Sequence, residues 1–108
     1  PYLIRLKTAG PFAFAGVWEN WIDKASGERI ESCTIIVTQA NALVAPIHDR
    51  MPVILAPDDY DSWLDPAAAD GRTLLRPYPA EAMEAFPVSP RVGNVKNDDA
   101  GLIEPVHA

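Results

Sequence analysis

Cysteine is almost absent from this chain. Cys33 is the only one among 108 residues, which excludes an internal disulfide and any zinc site built on paired thiolates. Histidine is nearly as scarce, with His48 and His107 alone. His48 adjoins Asp49 but has no third ligand at a workable spacing, so neither a metal nor another cofactor is expected. No apolar run approaches the length of a membrane span, and no signal-peptide pattern is visible. The expectation is therefore a soluble, cytoplasmic protein without membrane contact. Basic residues are also few, nine against fifteen acids, for a net charge of -6. The shortage is local: residues 1–54 carry five of each sign, whereas residues 55–108 carry four basic groups against ten acids. An acidic chain is a poor vehicle for non-specific nucleic-acid binding, although the neutral first half leaves a local contact open.

The apolar share of 48% suffices for a core, and the length allows one small domain, residues 1–108, or part of one. Pro1 is followed at once by a strand-like segment, so it reads as a cut or processed end, with removal of an initiator Met as the other reading. Alternation predicts a strand over Tyr2–Lys7 and another over Phe12–Trp18, with Thr8-Ala9-Gly10-Pro11 as the turn of a hairpin between them. Ser26-Gly27-Glu28 marks a turn, and Glu31–Thr38, β-branched at its centre, predicts a third strand. Ala40, Leu43, Val44 and Ile47 fall at helical spacing and predict a short helix. Pro52–Leu55 predicts a fourth strand, Pro57–Leu64 a helix with proline and acids in its first turn, and Met83–Val88 a fifth strand. Short helices among antiparallel strands define an α+β pattern.

Chemistry concentrates in Ile47-His48-Asp49-Arg50-Met51-Pro52. An imidazole, a carboxylate and a guanidinium sit together at the mouth of two apolar strands, where each is costly to leave unsatisfied. A histidine with a hydrogen-bonding neighbour is an acid/base unit near neutral pH. Asp49 is expected to orient the backbone or to pair with an arginine. Cys33 is expected to be buried in its strand, and Trp18 and Trp63 to pack in the core, base stacking being the other use of such rings. Asn94 and Asn97 are expected to bond to backbone, and His107 has no role.

The succession of Phe14-Ala15-Gly16-Val17-Trp18-Glu19, Thr34-Ile35-Ile36-Val37-Thr38, Ile47-His48-Asp49-Arg50-Met51-Pro52, Trp63-Leu64, Pro87-Val88-Ser89 and Val92-Gly93-Asn94-Val95-Lys96-Asn97 resembles the SOS response-associated peptidase family. Members of that family crosslink to abasic sites in single-stranded DNA. The resemblance implies a β-barrel-like α+β domain, of which this chain is the C-terminal half. It also implies a mechanism. The α-amine of a cysteine that follows the initiator Met forms a Schiff base with the open-chain aldehyde of the abasic sugar. Its thiol then closes a thiazolidine, and the same cysteine is tied to self-removal of the Met.

Of the family's catalytic set only His48 carries over; the N-terminal Cys, the Asn and the Glu have no counterpart here. Thr38 and Arg50 match positions at the DNA backbone, where a hydroxyl and a guanidinium suit phosphate, though Arg50 could equally pair with an acid. Cys33 is internal and has no free α-amine, and Glu19 follows the strand that should come after the family's Glu motif. The chain alone is thus expected to be inert toward abasic DNA, and whether it is an enzyme is left open. A second reading is a non-catalytic half that pairs with a separate N-terminal chain or with itself through exposed strand edges. An autonomous hydrolase using His48 and Glu19 lacks a nucleophile.

Overall fold

The computed structural model describes residues 1–68 and 70–107. It divides into two compact units, one made of residues 1–10 with the chain from 79 onward, the other of residues 11–78. Strands pair antiparallel in four two-stranded ladders, and among the described residues one short α-helix accompanies them, with no ladder closed into a barrel.

In the first unit β1 (Tyr2–Leu6) pairs with the strand Met83–Pro87, in the register Leu3 to Phe86 and Arg5 to Glu84. Lys7 N–H donates to the Ala82 carbonyl and Val88 N–H to that of Pro1, so the ladder is held beyond both ends. The directly opposed Arg5 and Glu84 form an ion pair, Nε to Oε1 2.8 Å, and the guanidinium lies 5.2 Å from the Phe86 ring centroid. Met83 and Val88 are buried. A loop follows in which Asn97 Nδ2 donates to the Arg91 carbonyl and Asn94 Oδ1 accepts from Lys96 N–H, the backbone roles expected of both. Asp99 Oδ1 caps the 3-10 turn Ala100–Ile103 through Gly101 N–H, and its Oδ2 accepts from Arg91 Nη2 at 2.6 Å.

The second unit is built on three chain segments, each broken once. The first gives β2 (Ala13–Phe14) and β3 (Gly16–Ile22), broken at Ala15. The second gives β4 (Arg29–Ile35) and β5 (Val37–Gln39), broken at Ile36. The third gives β6 (Arg50–Pro52) and β7 (Ile54–Leu55), broken at Val53. Met83–Pro87 is then β8. The pairs are β2 with β7, β3 with β4, and β5 with β6.

The three breaks meet. Ala15 N–H donates to Val53 O (2.8 Å), Val53 N–H to Ile36 O (2.9 Å), and Ile36 N–H to Ala15 O (2.9 Å). This closed ring of backbone bonds lets each segment change partner without leaving an amide unpaired in the interior. Ala15 and Val53 are fully buried, and with Leu55 they form the core against which Ile36, Tyr60, Trp63, Leu74 and Leu75 pack. A helical stretch begins as a 3-10 turn at Pro57–Asp59 and continues as α1 (Tyr60–Leu64). Trp63 is half-buried, and its Nε1–H donates to the Gly16 carbonyl at 3.0 Å.

Several expectations are corrected. The hairpin between residues 2–7 and 12–18 does not form: Ala9 and Gly10 do turn with positive φ (57° and 83°), but β1 pairs with β8 and β2 with β7. Turn chemistry reverses a chain locally, whereas partner choice is decided by burial and packing against distant residues. The predicted helix ending at Ile47 is a run of turns, because Pro46 has no N–H to donate back to Ala42. Cys33 and Trp18 lie opposite one another on the β3–β4 hairpin and are exposed, Trp18 at 69%. All seven residues of each strand in that hairpin are exposed, so neither side chain has a core to enter.

Candidate active site

The β5–β6 ladder and the loop joining its strands position the His-Asp-Arg segment. Its register is Val37 to Pro52, Thr38 to Met51 and Gln39 to Arg50. Side chains alternate along a strand, so Val37, Gln39, Arg50 and Pro52 share one face and Thr38 and Met51 the other. Met51 is buried and Thr38 half-buried. A shallow cleft of about 270 Å³ lies at this ladder, lined by Val37, Arg50 and Pro52 of the open face together with His48 and Met51. His48 and Arg50 are thus brought together, and Thr38 is presented from the opposite face of the same ladder.

The loop is held by Asn41. Its Oδ1 accepts from Leu43 N–H (3.1 Å) and Val44 N–H (3.0 Å), and its Nδ2 donates to the Tyr78 carbonyl at 2.7 Å. Its own N–H reaches Met51 Sδ at 3.4 Å. The Asn41 carbonyl accepts from Ala45 N–H, and the Val44 carbonyl accepts from both Ile47 and His48 N–H. Asparagine followed by two free amides is a local turn signal, and it was the cue for this residue that periodicity alone passed over.

His48 is tethered through Nδ1. In the neutral tautomer with its proton on Nε2, Nδ1 accepts from Arg50 N–H at 3.0 Å. When the ring is charged, Nδ1–H has two acceptors in reach, the Arg50 carbonyl and Asp49 Oδ1, each at 3.1 Å. Both protonation states therefore hold the ring by the same nitrogen. Among the described residues no hydrogen bond engages Nε2, and the side chain is 60% exposed. Asp49 thus faces the imidazole, not an arginine, and its carbonyl accepts from Ala40 N–H. Arg50 forms no ion pair with a described acid.

Glu19 lies elsewhere, in a cleft with Val17, Trp18, Ser32, Cys33 and Thr34. It faces Ser32 across the hairpin. No three His, Cys, Asp or Glu side chains converge as a metal would require among the described residues. None of their helices is long and apolar enough to cross a membrane.

The family model described as SOS response associated peptidase (SRAP) matches residues 1–95. The abasic site processing protein YoqW of Bacillus subtilis strain 168 is 45% identical over 107 residues, 96% of this chain and 47% of that protein. The abasic site processing protein HMCES of Gallus gallus is 36% identical over 94 residues, 85% of this chain and 28% of that protein. A crystal structure of a Bacteroides thetaiotaomicron protein superposes with a TM-score of 0.84 at 30% identity, covering 99% of this chain and 48% of the other. The chain belongs to the SOS response-associated peptidase family, and it spans about half the length of the bacterial relatives it matches.

Proposed function

We propose that these 108 residues are the C-terminal half of a domain that senses abasic sites in single-stranded DNA and becomes covalently joined to them, in the cytoplasm. The observation that carries this reading is the Nδ1-tethered His48, with Nε2 unengaged beside Arg50. The names of relatives matched over nearly the whole chain support it.

In this reading the aminothiol of an N-terminal cysteine condenses with the sugar aldehyde. The amine adds to C1′, water leaves to give the Schiff base, and the thiol adds to the same carbon to close a thiazolidine. Two proton transfers need a partner: opening of the sugar ring, where the ring oxygen gains a proton, and loss of the hydroxyl. His48 Nε2 supplies and recovers that proton, a role worth roughly 10²- to 10⁴-fold in rate. Arg50 holds a phosphate on the open face, and Thr38 contacts the strand from the other side of the ladder. The aminothiol comes from outside these residues, since the nitrogen of Cys33 is in a peptide bond. The ladders around Ala15, Ile36 and Val53 would then be one side of a barrel-like sheet.

The 108-residue chain, incubated with a single-stranded oligonucleotide bearing one abasic site, is expected to give no adduct that survives denaturation. Intact mass of the same sample distinguishes a single species near 11.8 kDa from a co-purifying second polypeptide. A heat-stable adduct from the single species overturns the reading.

One observation favours a second reading, a non-catalytic half whose role is pairing. The β3–β4 hairpin exposes Trp18, Trp21 and Ile22 by 69%, 55% and 61%, large apolar side chains of the kind that pairing surfaces present. Light scattering tests it: a monomer at hundreds of micromolar removes self-pairing.

A further inference from the structure

We infer that Asn41 is the positioning residue of the His48 imidazole, an inference that rests on the acid/base reading of His48. The two are joined by a path of hydrogen bonds through Val44. The Asn41 carboxamide is anchored on Tyr78 O at 2.7 Å and collects the amides of Leu43 and Val44 at 3.1 and 3.0 Å. Val44, only 4% exposed, is thereby fixed in the interior with its carbonyl turned to the loop. That carbonyl accepts His48 N–H at 2.9 Å, and the ring closes the loop onto Arg50 N–H at 3.0 Å.

An ordinary helix would fix this backbone by itself. Here Pro46 interrupts the turn ladder, and the side chain of Asn41 holds the start of the loop by accepting from the Leu43 and Val44 amides, which have no backbone acceptor of their own there. The residue type is narrowly set. Asp would accept both amides but not donate to Tyr78 O, Ser has no second polar atom, and Gln is one methylene too long for a local turn.

The test is magnetic resonance on the 108-residue chain, without DNA, at a pH where the ring is neutral. The coupling across the hydrogen bond between Arg50 N and His48 Nδ1 reports the tether, and amide exchange at Val44 and His48 reports the loop. Asn41→Ala is expected to abolish the coupling and to speed exchange at both amides by about tenfold, the scale of losing a side-chain cap. Asn41→Asp, which keeps both acceptor bonds, is expected to restore the coupling. Signals of Trp18 and Cys33 in the hairpin serve as the control for folding.

An unchanged coupling and exchange in Asn41→Ala, with the hairpin intact, overturns the inference. So does loss of the hairpin signals in both variants, which would make Asn41 a residue of general stability. Because no substrate is involved, failure of the crosslinking reading and failure of this one are separately visible.

Discussion

Val53 is where the account of the fold is most exposed to a single substitution. Its side chain is fully buried and its backbone is shared by two of the three bonds that join the broken segments. Val53→Ala keeps the backbone bonds and removes two methyl groups from the contact with Ala15 and Leu55. At about 0.8 kcal/mol per buried carbon the transfer loss is about 1.6 kcal/mol. The space left behind adds to it, because the surroundings relax only in part, for a total of about 2–3 kcal/mol. With an unfolding entropy of about 2.1 cal/mol/K per residue, this lowers the melting temperature by roughly 10 °C. Urea unfolding followed by tryptophan fluorescence is the assay, since Trp63 packs on this core. The midpoint should fall with the slope unchanged. Val95→Ala, at a site 96% exposed, should stay within about 0.5 kcal/mol. A loss below about 1 kcal/mol for Val53→Ala would refute the claim that the node organises the second unit.

Other outcomes follow from the same bonds. Arg50→Ala should weaken single-stranded DNA binding at low salt and lower the slope of log affinity against log salt by about 0.7, as loss of one phosphate contact requires; an unchanged slope would mean that Arg50 does not face DNA. Hydrogen bonding from Arg91 holds the Asp99 carboxyl below its ordinary value of 3.8, and Arg72 does the same for Asp70. Their folded-state values are depressed, so the stabilisation is complete above 3.8 and is lost as pH falls through the lowered values. Carboxyl shifts should therefore titrate below 3.8, and a midpoint at or above it would contradict the hydrogen bonds from Arg91 and Arg72. Trp63→Phe removes the donor to Gly16 O and should cost about 1 kcal/mol in urea unfolding followed by circular dichroism; no loss would make that bond incidental.

Local structure was legible where one residue's chemistry decides it. Alternation located β1 and the Ser89-Pro90 stop located the end of β8, each to within a residue, Pro57 and the acids after it located the start of the helical stretch, and Gly27, at φ 74°, marked the turn of the β3–β4 hairpin. The breaks at Ala15, Ile36 and Val53 were not legible. Each lies inside a continuous apolar run, and it exists only because three runs distant in sequence share a junction. For the same reason Cys33 and Trp18 look like core residues and are not: hydrophobicity of a strand does not reveal whether anything covers it. At the site, the residue types of the His-Asp-Arg segment and the family resemblance were readable. That Thr38 and Arg50 stand on opposite faces follows from a register no sequence pattern specifies. Asn41 escaped because the apolar periodicity around it favoured a helix over the local turn signal of the asparagine, and its anchor on Tyr78 O lies far away in sequence.

The central claim is that His48 drives covalent capture of abasic DNA when the rest of the domain is present. It is tested most directly in a YoqW chain carrying these 108 residues in place of its matching segment, mixed with a single-stranded oligonucleotide holding one abasic site. The adduct is followed over time on denaturing gels. The account predicts an adduct that forms at least about 100-fold more slowly with His48→Ala. No adduct from the parent chimera, or an equal rate with His48→Ala, would contradict it.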